Sequence, residues 1–308
     1  MQRGSRLSGI ALVLFALSTP AGTESLAAQI GPWQNAPQPD AGRQVVPFME
    51  GWFDNGDGTF TISFGYLNRN ANQPMDIPLG ERNFIEPAKY DGVQPTHFMG
   101  SRQRGMFAVT IPASERDQDV WWSIAMPDGK VYKVPGRSSA AAYQLDWLPR
   151  PHGSVAPLVW FDSESDAAQG PEGVRADGTL TTRVGQPVTL AVSARDPSVR
   201  DLSDRRFAEP LPVRVIWSKY QGPAGEVTFA RDPSNPAPDV PGGGRGGPPP
   251  PESVMLDGVA GTARVMATFD VPGEYVMLAQ VDNWRSPDSS AGDQCCWTNA
   301  YQRVVVTQ

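Results

Sequence analysis

The sequence predicts an all-β protein of two antiparallel β-sandwich domains, and three observations carry that expectation. Short runs of alternating apolar and polar residues recur along the chain, and turn signals separate them. Glycine and proline are also too frequent for long helices: there are 31 of each in 308 residues, and each interrupts a helix unless it sits at an end. The length exceeds what one small sandwich needs, which predicts two domains.

Before the first strand, Arg3 and Arg6 precede the apolar stretch LSGIALVLFALS, and Pro20 and the small-residue run SLAAQ follow. That layout reads as a secretory signal peptide over residues 1–28, cut after Ala27 or Ala28. Its apolar core is shorter than the ~20 residues that span a bilayer, no cysteine follows it to carry a lipid, and no later stretch is apolar enough for a membrane helix. The expected location is therefore the periplasm or the cell exterior. Losing Arg3, Arg6 and Glu24 leaves 24 basic against 32 acidic side chains, a net charge of -8. Proteins that bind nucleic acid present basic patches, so this balance argues against such a partner.

The first domain is expected over 29–150. In TFTISFGYLN, Phe60, Ile62, Phe64 and Tyr66 share one strand face, with Thr61, Ser63 and Gly65 on the other. MFAVTIP repeats the pattern with Phe107, Val109 and Ile111, and DVWWSIAM with Val120, Trp122, Ile124 and Met126. The Asp-Gly pairs in DNGDGT and PDGK supply hairpin turns, because glycine accepts positive φ. Neighbouring Trp121 and Trp122 point to opposite faces of a strand and cannot enter one core. Trp121 is therefore expected at solvent, at the joint between the sandwiches, or under a ligand.

The stretch LPRPHGSVAP, Leu148 to Pro157, reads as a linker, and the second domain is expected over 151–308. Its strands are PLVWF, PVTLAVSARD, VRVIWSKY, EVTFA, ARVMATF, EYVMLAQVDN and AYQRVVVTQ. The Pro/Gly-rich segment 232–252 is expected to be a disordered or extended loop. Its GGGRGG is no phosphate cradle, since prolines rather than a helix follow it.

Within FDVPGEYVMLAQVDN, Asp270, Gly273 and Tyr275 form a D-x-x-G-x-Y arrangement before a strand, and Trp217 lies on the earlier strand VRVIW. This half resembles immunoglobulin-like domains, and more closely the PKD-type repeats of secreted bacterial proteins. The resemblance covers roughly Ala156 to Gln308 and implies a sandwich in which Tyr275 makes a corner hydrogen bond and Trp217 fills the core. It implies nothing about activity. The chain departs from the antibody pattern at Met277, which stands where such domains have their second core cysteine.

Cys295 and Cys296, the two cysteines of the chain, are adjacent in DQCCWTN. Free thiols oxidise in exported proteins, but adjacent Cα atoms lie ~3.8 Å apart, below the usual disulfide span, so a vicinal bridge needs a distorted turn. Three readings stand: a vicinal bridge bracing the loop, bridges to other chains, and a metal site. The structural bridge is favoured, because redox pairs are spaced C-x-x-C and two adjacent thiolates chelate poorly.

Trp121, Trp284, Trp297 and His97 are the candidate ligand contacts. His97, in QPTHF, needs a nucleophile and an orienting acid to act as a base, and a buried structural histidine is the expected alternative. The turn at Asp54 fails the calcium-loop spacing, because Gly56 and Gly58 occupy ligand positions. The run DSESD and the loop carboxylates Asp282, Asp288 and Asp293 could gather one Ca²⁺ at a sandwich end; otherwise no cofactor is expected. No G-x-S-x-G, H-E-x-x-H or Walker loop occurs. The expected role is non-catalytic binding or adhesion, to a polysaccharide or an extracellular protein. The alternatives are a glycan-active enzyme with loop carboxylates, and a self-assembling structural unit.

Overall fold

Alternating side chains of period 2 build this molecule. The computed structural model describes residues 44–70, 73–145, 153–205, 207–209, 211–235, 249–283 and 296–308, all within the unit Pro39–Gln308. The expected signal peptide lies outside the described residues, as do residues 148–152 of the expected linker and 236–248 of the expected loop.

The first half forms β1 (Val45–Asp54), β2 (Thr59–Asn68), β3 (Met75–Asp76), β4 (Asn83–Glu86), β5 (His97–Phe98), β6 (Ser101–Pro112), β7 (Val120–Ala125), β8 (Val131–Gly136) and β9 (Gln144–Leu145). The second half forms β10 (Leu158–Trp160), β11 (Val174–Arg183), β12 (Val188–Arg195), β13 (Arg214–Gln221), β14 (Val227–Arg231), β15 (Ser253–Met255), β16 (Ala260–Phe269), β17 (Gly273–Asp282) and β18 (Trp297–Thr307). Among the described residues no helix is long and apolar enough to cross a membrane. The chain is an all-β protein.

In the first half, the sheet β6-β2-β1-β9 and the sheet β4-β7-β8 enclose one core. Phe64 and Phe107 stack at 5.1 Å, and Trp122 meets Phe107 edge-on at 4.9 Å. Side chains of this size contribute ~1.5–3 kcal/mol each on full burial. Trp122 also donates from Nε1 to Asn83 Oδ1 at 3.0 Å, so its polar edge is satisfied within the core.

In the second half, β10-β12-β16-β14 faces β11-β18-β17-β13-β15. Trp217, Tyr275, Met277, Phe269 and Val265 are among the buried side chains between them. Tyr275 Oη donates to the Val271 carbonyl at 2.7 Å, and Asp270 Oδ1 accepts from the Glu226 amide at 2.8 Å. Two strands here are not among those the alternation predicts. β11 pairs in parallel with β18 and carries an irregularity between Arg175 and Thr179, and β15 is a three-residue edge.

The five-stranded sheet is covered on both faces. Along β17, Tyr275, Met277, Ala279 and Val281 join the core of the second half, while Leu278 joins the core of the first half, as do Tyr220 and Tyr301. The end of the expected linker is also pinned. The Val155 amide donates to Ser198 Oγ, and the Pro157 carbonyl accepts from Thr298 Oγ1.

Candidate functional site

The outer face of the β4-β7-β8 sheet is the first candidate surface. Register places Glu86, Trp121 and Pro135 in one cross-strand row and Phe84, Ser123 and Lys133 in the next. Trp122 points the other way and is fully buried, as strand alternation requires. Trp121 is half-buried and belongs to neither core. Lys133 Nζ lies 4.7 Å from the centre of its ring, a cation–π contact across the strand pair. Pro135 sits on edge strand β8, where it withholds a backbone donor and blunts further strand pairing.

His97 stands at the joint between the halves. Its Nδ1 lies 2.9 Å from Asp76 Oδ1 across the β3–β5 pair. The same carboxylate oxygen accepts from Lys219 Nζ at 3.1 Å. Lys219, 3 % exposed at its side chain, also donates to the carbonyls of Pro223 at 2.6 Å and Gly225 at 3.0 Å. Burial alone would raise the Asp76 carboxyl, but its contacts with His97 and the Lys219 ammonium outweigh that and hold it below the ordinary value. Asp76, His97 and Lys219 satisfy one another as a clasp between β3, β5 and β13, and among the described residues no hydroxyl or thiol nucleophile is hydrogen-bonded to the imidazole.

Trp297, expected as a ligand contact, is packed into the same joint instead. Its Nε1 donates to the Gly105 carbonyl at 3.3 Å, and Asn299 Nδ2 donates to that carbonyl at 2.7 Å. Gln280 Nε2 adds a bond to the Arg104 carbonyl at 3.0 Å. A second docking point is the segment before His97. The Thr96 amide donates to the Tyr220 carbonyl at 2.9 Å, and Gln221 Nε2 donates to the carbonyls of Gly92 and Gln94. None of these polar contacts has a motif; each joins residues more than a hundred positions apart.

Asp282, expected among calcium ligands, is buried and forms a two-pronged pair with Arg214 Nε and Nη2. Burial raises its carboxyl, and the guanidinium acts against that rise. Both of its oxygens are thereby engaged. Asp288, Asp293, Trp284 and Cys295 lie outside the described residues. Cys296 is buried and has a φ of 75°, a left-handed conformation unusual for a residue with a side chain. Among the described residues no group of three or more His, Cys, Asp or Glu side chains gathers to hold a metal.

No family model matches the chain, and no curated protein matches it. Solved structures do. A PapD-like domain of human CEP192 is 9% identical, covers 52% of this chain and 94% of its own, and superposes with a TM-score of 0.26. The D0-D1 domain of intimin is 13% identical over 84% of this chain and 100% of its own, TM-score 0.24. Domains 4 and 5 of the S-layer protein SbsC are 10% identical over 86% and 98%, TM-score 0.23. At such low identity and superposition these likenesses assign no function to the chain.

Proposed function

We propose that this chain is an exported, non-catalytic binding protein that recognises a polysaccharide through the outer face of the β4-β7-β8 sheet. The observation that supports this reading is Trp121: a large, half-buried indole left outside both cores, in cation–π contact with Lys133 and in the rows that hold Phe84 and Pro135. An aromatic ring beside a cation and the Glu86 carboxylate suits a sugar ring, whose apolar face stacks while its hydroxyls bond nearby polar groups. The export half of the proposal rests on the N-terminal segment, and the PKD-type resemblance of the second half fits a module carried by secreted proteins. An enzymatic reading is weaker, because the one histidine–carboxylate pair among the described residues is closed by Lys219.

The test is binding of the mature chain to a polysaccharide array, beside Trp121→Ala and Phe84→Ala. Saturable binding that Trp121→Ala reduces by on the order of tenfold, the worth of one stacked ring with its burial, supports the proposal. A folded wild type that binds no glycan, or a Trp121→Ala variant that binds as well as wild type, overturns it.

A further inference from the structure

A concave surface lies where the two halves meet. A cleft of about 330 Å³ is lined by Lys89, Tyr90, Thr110, Glu172, Arg175 and Tyr301, among others. That volume lies at the lower end for small-molecule sites, and suits a ligand the size of a monosaccharide. Both halves contribute walls, so an occupant would touch each of them.

Most charged groups of the cleft already have partners. Lys89 is paired with Glu115, which also accepts from Tyr90 Oη at 2.8 Å. Glu172 Oε2 accepts from Thr110 Oγ1. Arg175 differs. Its guanidinium lies 4.5 Å from the centre of the Tyr301 ring, and among the described residues no carboxylate reaches it. The Tyr301 ring beneath is itself fixed: it is buried, and its hydroxyl donates to the Met106 carbonyl at 3.2 Å. Arg175 is exposed, and a guanidinium held over a ring face by cation–π contact still has N–H donors at its edge, the fork that can receive a carboxylate in two bonds. Glu172 Oε1, on the same wall, has no protein hydrogen bond among the described residues and can accept one from a hydroxyl.

We infer that this cleft binds a small hydroxylated carboxylate, such as a single uronic acid, with Arg175 taking the carboxylate and Glu172 Oε1 accepting from a hydroxyl. The negative Glu172 sets the selectivity. It leaves room for one negative charge and repels a phosphate dianion, while a neutral sugar leaves the Arg175 fork unfilled. Trp121 is not part of the cleft, so this site and the polysaccharide face stand or fall separately. Because the ligand would bridge the halves, it stabilises the folded chain in proportion to its saturation.

The experiment is calorimetry and thermal unfolding of the mature chain with D-glucuronate, D-glucose and glucose 6-phosphate at matched ionic strength. Saturable binding of glucuronate with a rising Tm is expected, with glucose and glucose 6-phosphate each weaker. Arg175→Ala should stay folded without ligand, with a Tm lowered only by the loss of one exposed cation–π contact, and bind glucuronate on the order of tenfold or more weakly, the worth of a charge-assisted hydrogen bond. Arg175→Lys should lie between, since it keeps the charge without the fork. Glu172→Gln should narrow the discrimination against glucose 6-phosphate, and Trp121→Ala should bind glucuronate as wild type does. The inference is overturned if glucuronate gives no saturable binding, if glucose binds equally well, or if Arg175→Ala and Arg175→Lys both bind like wild type.

Discussion

The indole of Trp297 lies directly over Gly105, and the two halves of the molecule meet at that contact. A Cβ added at Gly105 would overlap Cζ2, Cε2 and Nε1 of the ring. Gly105 also has a φ of 55°, in the left-handed region that costs other residues ~1–2 kcal/mol. The pairing of β2 with β6 is irregular here, between Phe64 and Tyr66. That bulge turns the Gly105 carbonyl toward Trp297 and Asn299.

Gly105→Ala is therefore expected to destabilise the chain by about 2–5 kcal/mol, the sum of overpacking and left-handed strain. Gly56→Ala is the control, because Gly56 has a φ of 74° but open space around its Cα. It should cost only the left-handed strain, about 1–2 kcal/mol. Urea unfolding of both variants measures the difference. Equal costs would mean that strain alone acts at Gly105 and that the Trp297 contact is not tight.

Two buried tryptophans separate packing from hydrogen bonding. Trp122 Nε1 donates to the buried Asn83 Oδ1, whereas Trp217 Nε1 is buried with no hydrogen-bond partner among the described residues. Changing either to Phe removes similar volume, but only Trp122→Phe strands an acceptor. An unsatisfied buried acceptor costs ~1–3 kcal/mol, so Trp122→Phe should be the more destabilising by about that amount. Paired denaturation curves decide it, and a larger loss for Trp217→Phe would contradict the argument.

Much of the sandwich architecture is legible in the sequence because a sheet face in contact with a core must alternate. Phe60, Ile62, Phe64 and Tyr66 on β2, and Tyr275, Met277, Ala279 and Val281 on β17, are buried on the faces their spacing predicts. β11 escapes this reading. It is an edge strand, half-exposed along its length, with Gly178 breaking its pattern. The joint is less legible still, because Gln280 and Asn299 occupy alternate positions that ordinarily face water. Only the placement of the first half over the five-stranded sheet covers them, Asn299 fully and Gln280 partly, and turns them into hydrogen-bond donors across the joint. The cleft carries the same lesson: Arg175 stands out only once Tyr301 lies beneath it.

The clasp of Asp76 with His97 and Lys219 makes stability depend on acid. The Asp76 carboxyl is held below its ordinary value, so its contribution is fully present above the unfolded pKa of about 3.9 and is lost as pH falls through the folded value. Asp76→Asn should cost about 1–3 kcal/mol at neutral pH, a broken ion pair discounted for the partial exposure of Asp76. The gap between variant and wild type should then close as pH falls below about 4. A gap that stays constant down to pH 2 would show that Asp76 acts by shape and not by charge.

The first half is expected not to fold on its own as residues 29–150. Its core includes Tyr220, Leu278 and Tyr301 from the second half, each fully buried and each contributing ~1.5–3 kcal/mol by its burial. Domains of this size keep a net stability of only ~5–15 kcal/mol, so losing three such side chains removes most of the margin. Tyr220 and Tyr301 also pack edge-to-face at 5.2 Å, and the docking bonds of Thr96, Gln94 and Gly92 would be lost with them. The isolated fragment should show far-UV signals of strands without fixed near-UV signals, and should bind a hydrophobic dye. Adding residues 151–308 in trans should restore the near-UV signal. A fragment that unfolds cooperatively with the stability of the full chain would show that the first half closes its core without its neighbour.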